Sequence, residues 1–375
     1  MSKIRVLVTD DSAFMRKVIS DILAENPDIE VIDRARNGLE CIEKCNKLKP
    51  DVVTLDIEMP VMNGLEALER MMRDNPIPTV MISSLTREGA DATIRALELG
   101  AFDFVTKPSG PISLDIHKVA ERLVERVKAA AASRPRNRKP EMEDKGGEKK
   151  PPTVFSEVRA AKPPVSSPPA PLPTAVARTP LQRGKQKLVV LGTSTGGPKA
   201  LQTVLTGLPS SFQAPIAIVQ HMPAGFTKSL AQRLNSLSQI QVTEVKDGEI
   251  LEPGTAYIAP GGYHFEVHAN NNGQLQAQLH QQEPRAGHRP SVDVLFESVS
   301  RLTNVDKWAI IMTGMGNDGT KGLQQMKQDG IATSIIEDES TCIVYGMPRA
   351  AIQAGLADHV APLDKIPELL CKLLH

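Results

Sequence analysis

The sequence predicts an α/β protein with two doubly wound parallel-sheet domains joined by a disordered linker. Three observations carry this. Short apolar runs alternate with amphipathic stretches in both halves of the chain, the pattern of strands feeding right-handed crossover helices. Residues 134 to 183 hold 11 of the 29 prolines and almost no apolar periodicity, so they cannot repay their ordering entropy by burying a core. A length of 375 residues suits two domains of roughly 100–200 residues each. The expected divisions are 1–128, 129–185 and 186–375.

The N-terminal half gives five alternations in order. IRVLVT precedes FMRKVISDILAE, EVIDRA precedes GLECIEKCNKL, DVVTLD precedes GLEALERMMRD, TVMIS precedes ADATIRALELG, and FDFVT precedes a last helix after Ser113. That helix spaces Ile116, Val119, Ala120, Leu123, Val124 and Val127 along one buried face. Ligands of such sheets bind beyond the carboxyl ends of the strands, and polar residues gather there: Asp10 and Asp11, Asp56, Ser83 and Ser84, and Lys107. Carboxylates converging on one edge repel unless a cation lies among them, and an all-oxygen donor set favours Mg²⁺. Lys107 adds a point charge suited to a phosphoryl oxygen, and Ser83 adds a rotatable hydroxyl donor.

The Asp10-Asp11 pair, Asp56 within LDIEMPVMNGLEAL, Ser83 and the KP at 107 and 108 resemble the response-regulator receiver family over residues 3 to 127. The resemblance implies a flavodoxin-like fold and phosphorylation of Asp56 by a histidine kinase. It also implies Mg²⁺ held by Asp10, Asp11, Asp56 and the Glu58 backbone carbonyl, with Ser83 and Lys107 contacting the phosphoryl group. One residue departs from the pattern. Phe104 stands where receivers often carry Tyr, so its ring is free to change rotamer but offers no hydroxyl.

The linker explains the charge balance. Residues 1–132, 133–187 and 188–375 carry net charges of −4, +8 and −4, which cancel to zero. The basic segment reads either as a solvated polyproline-rich tether or as a docking segment for an acidic partner.

The C-terminal half opens on KLVVLGTSTGGPKALQTVLTGL, a strand, a glycine-rich turn and a helix. Gly192-Thr193-Ser194-Thr195-Gly196 fits G-x-S-x-G, which lifts a serine onto a sharp turn beside backbone N–H donors, and Pro198 suits the first helical turn. Dinucleotide binding is the competing reading. The glycines at 192, 196 and 197 do not fit G-x-G-x-x-G, and the next strand, APIAIVQH, ends in Gln220-His221 where a ribose-binding acid is expected. A further strand, KWAIIMTGMGNDG, leads to Asp318. Ser194, His221 and Asp318 thus supply nucleophile, general base and orienting carboxylate on one rim. Their chain order differs from the Ser, Asp, His order of α/β-hydrolases.

GTSTGGP, QHMP, AYIAPGGYH, HRPSVDVLF, IIMTGMGNDG and YGMPRAA resemble the catalytic domain of the CheB family of chemotaxis protein-glutamate methylesterases over residues 186 to 373. The resemblance implies a Rossmann-like domain that demethylates chemoreceptor glutamates, releasing methanol, and deamidates certain receptor glutamines. It places the nucleophile at Ser194, the base at His221, its partner at Asp318 and the oxyanion donors at the Thr195 and Met315 backbone N–H groups, with no cofactor in this half. It further implies an unphosphorylated receiver packed over the catalytic face. The contrasting expectation is a non-catalytic, phosphorylation-controlled receptor-binding module.

Two segments remain. Residues 286–291, AGHRPS, either bring basic groups to an acidic receptor helix or, at Ser291, cap the helix that follows. HANNNGQ reads as a hairpin turn between FEV and LQAQL.

Composition removes other classes. Zero net charge and 12 aromatic residues leave neither the basic face nor the stacking surface of a nucleic-acid binder. Cys41, Cys45, Cys342 and Cys371 lack zinc-ligand spacing and read as structural thiols in a reducing compartment. No apolar stretch approaches the ~18–20 residues of a spanning helix. The reading is therefore a cytoplasmic protein without membrane insertion.

Overall fold

The computed structural model describes residues 3–107, 116–133, 185–329 and 332–374. The expected disorder of the linker falls outside these residues. In the first domain β1 (Ile4–Thr9), α1 (Ala13–Ala24), β2 (Ile29–Ala35), α2 (Gly38–Leu48), β3 (Val52–Asp56), α3 (Gly64–Asp74), β4 (Thr79–Ser83), α4 (Arg87–Glu98), β5 (Asp103–Thr106) and α5 (Ile116–Ala132) follow in strict alternation. The sheet is parallel throughout, in the order β2-β1-β3-β4-β5. Every residue of β3 and of β4 is buried, as a strand covered on both faces requires.

Helix starts follow local chemistry. Ser12, Asn37, Asn63 and Thr86 each accept the N–H three residues on. Asn63 and Glu66 complete a reciprocal capping box, an arrangement that satisfies two otherwise orphaned donors. The last helix runs through Ala132, past residue 128, because Ala130 extends its buried stripe beyond Leu123 and Val127.

The second domain contains β6 (Gln186–Thr193), α6 (Gly197–Thr206), β7 (Ile216–Gln220), α7 (Phe226–Leu237), β8 (Gln241–Glu244), β9 (Thr255–Ile258), β10 (His264–Ala269), β11 (Leu275–His280), α8 (Val292–Ser300), β12 (Val305–Ile311), α9 (Thr320–Asp329), β13 (Ala332–Glu337), α10 (Met347–Gln353), β14 (His359–Ala361) and α11 (Ile366–Leu374). Seven strands form a parallel sheet in the order β14-β13-β12-β6-β7-β9-β8. The strand β6 lies between β12 and β7, so the chain reverses direction across the sheet there and leaves a crevice beyond the strand ends. The expected hairpin forms as an antiparallel β10–β11 pair outside this sheet, with Phe265, Val267, Leu275 and Ala277 buried against Phe296 and Val299 of α8.

The two domains pack together. The rings of Phe104 and Phe226 stack with centroids 4.8 Å apart and planes 21° apart. Arg233 on α7 donates to both carboxylate oxygens of Glu98 on α4, at 2.7 and 3.1 Å. Ile343 and Val344 pack against the apolar cluster of the first domain. Buried stacking carries more of this interface than the half-exposed ion pair, since exposed pairs contribute only about 0–1 kcal/mol.

Candidate active site

Ser194 lies on the turn from β6 into α6. The turn needs Gly196, whose φ of 81° is left-handed, and Gly197, where a Cβ would sit 1.9 Å from Gln220 Oε1. Two neighbouring residues frame it. The Ser194 N–H donates to the Thr313 carbonyl at 3.0 Å, and buried Gln220 donates to the Ser194 carbonyl at 3.0 Å. Thr313 is a hub: its carbonyl also accepts from the Thr193 hydroxyl, and its hydroxyl donates to the Thr195 carbonyl. Its own N–H donates to Glu337 at 2.7 Å. Burial pushes the Glu337 carboxyl above its ordinary range despite this bond.

His221 follows β7, and its Nε2 stands 2.8 Å from Asp318 Oδ2. The carboxylate of Asp318 has three more donors. The Ser291 hydroxyl, the Val292 N–H and the Asp293 N–H reach it at 2.9, 2.7 and 2.9 Å. Burial raises the Asp318 pKa, but the hydrogen bond and charge of His221 and the N–H groups of Asp293 and Val292 outweigh it and hold the group well below the usual carboxylate range. An ionised acceptor at Nε2 assigns the ring proton to that nitrogen. Nδ1 then bears the lone pair, and it is buried without a hydrogen-bond partner. Among the described residues no hydrogen bond joins Ser194 Oγ to His221, and such contacts commonly tighten only once substrate is bound.

Ser291 takes the expected place at the start of α8 but gives its hydroxyl to another partner. It occupies the N-cap position of α8 but makes no side-chain cap bond; its hydroxyl holds Asp318 instead. The neighbouring basic groups are engaged too. Arg285 forms a fork with Glu297, and Arg289 donates to the carbonyls of Gln281 and Gln282. The His288 ring lies flat on His221, with centroids 3.9 Å apart and planes 6° apart.

The backbone N–H groups of Thr195 and Met315 have no hydrogen-bond acceptor among the described residues, which leaves both free for a substrate oxygen. Both residues touch the first domain. Thr195 Oγ1 donates to Asp103 Oδ2 at 2.6 Å. Arg126 Nε lies 2.6 Å from the same oxygen, out of line for a hydrogen bond, and Arg126 Nη1 reaches Met315 Sδ at 3.5 Å.

At the carboxyl edge of the first sheet, ligand atoms of Asp10, Asp11 and Asp56 lie within 4.8 Å of one another. Lys107 Nζ is 2.7 Å from Asp56 Oδ2 and 3.3 Å from Asp10 Oδ2. Asp10 Oδ2 is nonetheless buried without a hydrogen-bond partner. Burial, reinforced by the Asp10 charge and only partly offset by Lys107, pushes Asp56 up to about 6. Burial likewise raises Asp10. A buried carboxylate oxygen without a hydrogen bond, in a cluster of three carboxylates that one lysine only partly compensates, fits a hard divalent cation. Glu58 is exposed in the following loop. Ser83, the expected phosphoryl contact, here donates its hydroxyl to the Gly89 carbonyl at 3.1 Å and accepts from Thr93 at 2.7 Å.

An acidic strand-end edge paired with a lysine on one doubly wound sheet and a Ser, His, Asp rim on another are the features of a response regulator with an enzymatic output domain. Residues 6–117 match the response regulator receiver domain family, and residues 189–370 match the CheB methylesterase family. The protein-glutamate methylesterase/protein-glutamine glutaminase of Geobacillus kaustophilus is 51% identical over 374 residues, covering 100% of this chain and 99% of that protein. The protein of the same name from Bacillus subtilis is 50% identical over 367 residues, covering 97% and 96%. The solved catalytic domain of the Thermotoga maritima CheB methylesterase covers 50% of this chain and 98% of its own, at 47% identity and a TM-score of 0.49. The chain belongs to the CheB family of protein-glutamate methylesterase/protein-glutamine glutaminases.

Proposed function

We propose that this chain is a phosphorylation-controlled serine hydrolase that demethylates glutamate methyl esters of chemoreceptors and deamidates receptor glutamines in two-component chemotaxis signalling. One observation carries the assignment of roles. Asp318, fixed by four donors, holds the edge of His221 through Nε2 and leaves a buried, unpartnered Nδ1 as the base nitrogen beside the nucleophile turn.

In the first step His221 Nδ1 accepts the Ser194 proton as Oγ attacks the ester carbonyl carbon. The oxyanion is received by the N–H groups of Thr195 and Met315, each such donor being worth about 2.7–4 kcal/mol. The bond to methoxide then breaks, His221 returns the proton to form methanol, and a glutamyl ester of Ser194 remains. Water, deprotonated by the same nitrogen, hydrolyses that ester and frees the glutamate. Deamidation follows the same sequence with ammonia leaving, which makes proton donation by His221 more demanding. No resident cofactor enters these steps.

In the receiver, Asp10, Asp11, Asp56 and the Glu58 carbonyl would hold Mg²⁺, which neutralises charge on the incoming phosphoryl group. Asp56 accepts that group from the pathway's histidine kinase, and Lys107 pairs with it. Ser83 reaches it after exchanging its Gly89 partner. Asp56→Asn is expected to leave unphosphorylated methanol release unchanged and to abolish stimulation by acetyl phosphate. Chelation of Mg²⁺ is expected to abolish the same stimulation; stimulation surviving both treatments would overturn the switch.

Ser194 is only 4% exposed, and the receiver residues Asp103 and Arg126 touch both oxyanion residues. With the receiver against both oxyanion residues, we read this arrangement as the restrained state. Asp103→Ala or Arg126→Ala is expected to raise methanol release without phosphodonor several-fold, within the about 5- to 150-fold range of typical couplings. Initial rates on methylated receptor membranes, with and without acetyl phosphate, test the whole reading. Among the described residues no helix is long and apolar enough to cross a membrane.

A further inference from the structure

We infer that His288 is a positioning residue for the reaction: its ring is a flat platform that holds the plane of the His221 imidazole and shields one face of it from water. The inference rests on the reading of His221 as the base. The edge of that ring is held by Asp318, but one hydrogen bond at Nε2 leaves rotation about its own axis, and rotation would swing Nδ1 away from Ser194. The parallel ring of His288, 3.9 Å away and tilted by 6°, opposes it.

The platform is built rather than incidental. His288 ends a two-residue hairpin turn in which Ala286 and Gly287 both have left-handed φ, 50° and 81°. Arg285 and His288 exchange both backbone hydrogen bonds across it, at 3.0 and 2.9 Å. The turn is anchored by the fork of Arg285 on Glu297 of α8, with Nη2 at 2.6 Å. The same helix supplies the Val292 and Asp293 N–H groups that hold Asp318. One helix therefore fixes both the edge and the face of the base.

The chemistry needs a neutral platform. Burial, helped by the neighbouring His221, holds the His288 pKa down to about 4, so near neutral pH its π face is available. When Nδ1 takes the serine proton, the imidazolium gains a cation–π contact in a partly desolvated site.

The test uses the full-length protein, saturating acetyl phosphate and methylated receptor membranes. His288→Ala is expected to lower kcat about tenfold or more, the scale of a desolvated stacking or cation–π contact, with KM changed less than about twofold. His288→Leu keeps bulk without a π face and is expected to fall with it. His288→Phe is expected to recover most of kcat. A wild-type kcat in His288→Ala, or a His288→Phe enzyme no better than His288→Leu while folded by circular dichroism, overturns the inference. His221→Ala, run in parallel, separates the two levels: undiminished methanol release there overturns the role of the base itself, whatever His288 does.

Discussion

Ser194→Ala is expected to reduce methanol release from methylated receptor membranes to background, a loss on the order of 10⁶-fold in kcat. This is the scale seen when the nucleophile is removed from a triad that acts as a unit. The substitution removes only a hydroxyl from a turn whose shape is set by backbone bonds to Thr313 and Gln220. Folding, receptor binding and phosphoryl uptake at Asp56 should therefore persist, and pull-down and phosphorylation assays on the same preparation check each. Undiminished release would place the chemistry elsewhere and overturn the role of Ser194, whereas no release from the wild type would favour the non-catalytic receptor-binding module.

Asp318→Asn is expected to cost about 10⁴-fold in kcat, the effect of presenting the base in the wrong tautomer. All four partners of Asp318 point hydrogen-bond donors at it. An amide offers one acceptor oxygen and turns its NH₂ toward other donors. The variant also removes the anion from the start of α8, where helix N–H groups favour negative charge. A lowered melting temperature should accompany lost activity, unlike Ser194→Ala. The pH dependence has a definite sign. Because the folded pKa is depressed, the stabilisation from Asp318 is present above the ordinary carboxylate value near 4 and is lost only as pH falls below it. A melting temperature difference between wild type and Asp318→Asn that does not shrink on acidification below pH 4 would contradict this account.

Much of the fold was legible because it rests on local patterns. Five alternations and the polar residues at the strand ends define the receiver, and the glycine-rich turn after β6 marks Ser194. His221 and Asp318 were legible at one remove, from chain order and adjacency in a parallel sheet. Their supports were not. Thr313, Gln220 and Glu337 act through tertiary bonds, and Ser291 looked like a helix cap when it serves a carboxylate 27 positions away. The contact of Asp103 with Thr195 spans 92 positions, and no periodicity encodes it. The direction of the Ser83 hydroxyl is a rotamer choice settled by Thr93 and the Gly89 carbonyl, which residue type alone does not fix. The end of α5 at Ala132 is not legible, because alanines following a helix read equally well as the start of a linker.

The strand β5 touches both sites. Asp103 at its first residue holds Thr195 beside the nucleophile, while Lys107 just beyond its last residue holds Asp56. At about 3.3 Å per residue, input and output sit about 13 Å apart on one short shaft. A shift of that shaft would be felt at both ends together, with no relay of intermediate helices. Substitutions that alter its twist, such as glycine at Val105, should consequently detune phosphoryl sensing and restraint of the esterase as a single trait.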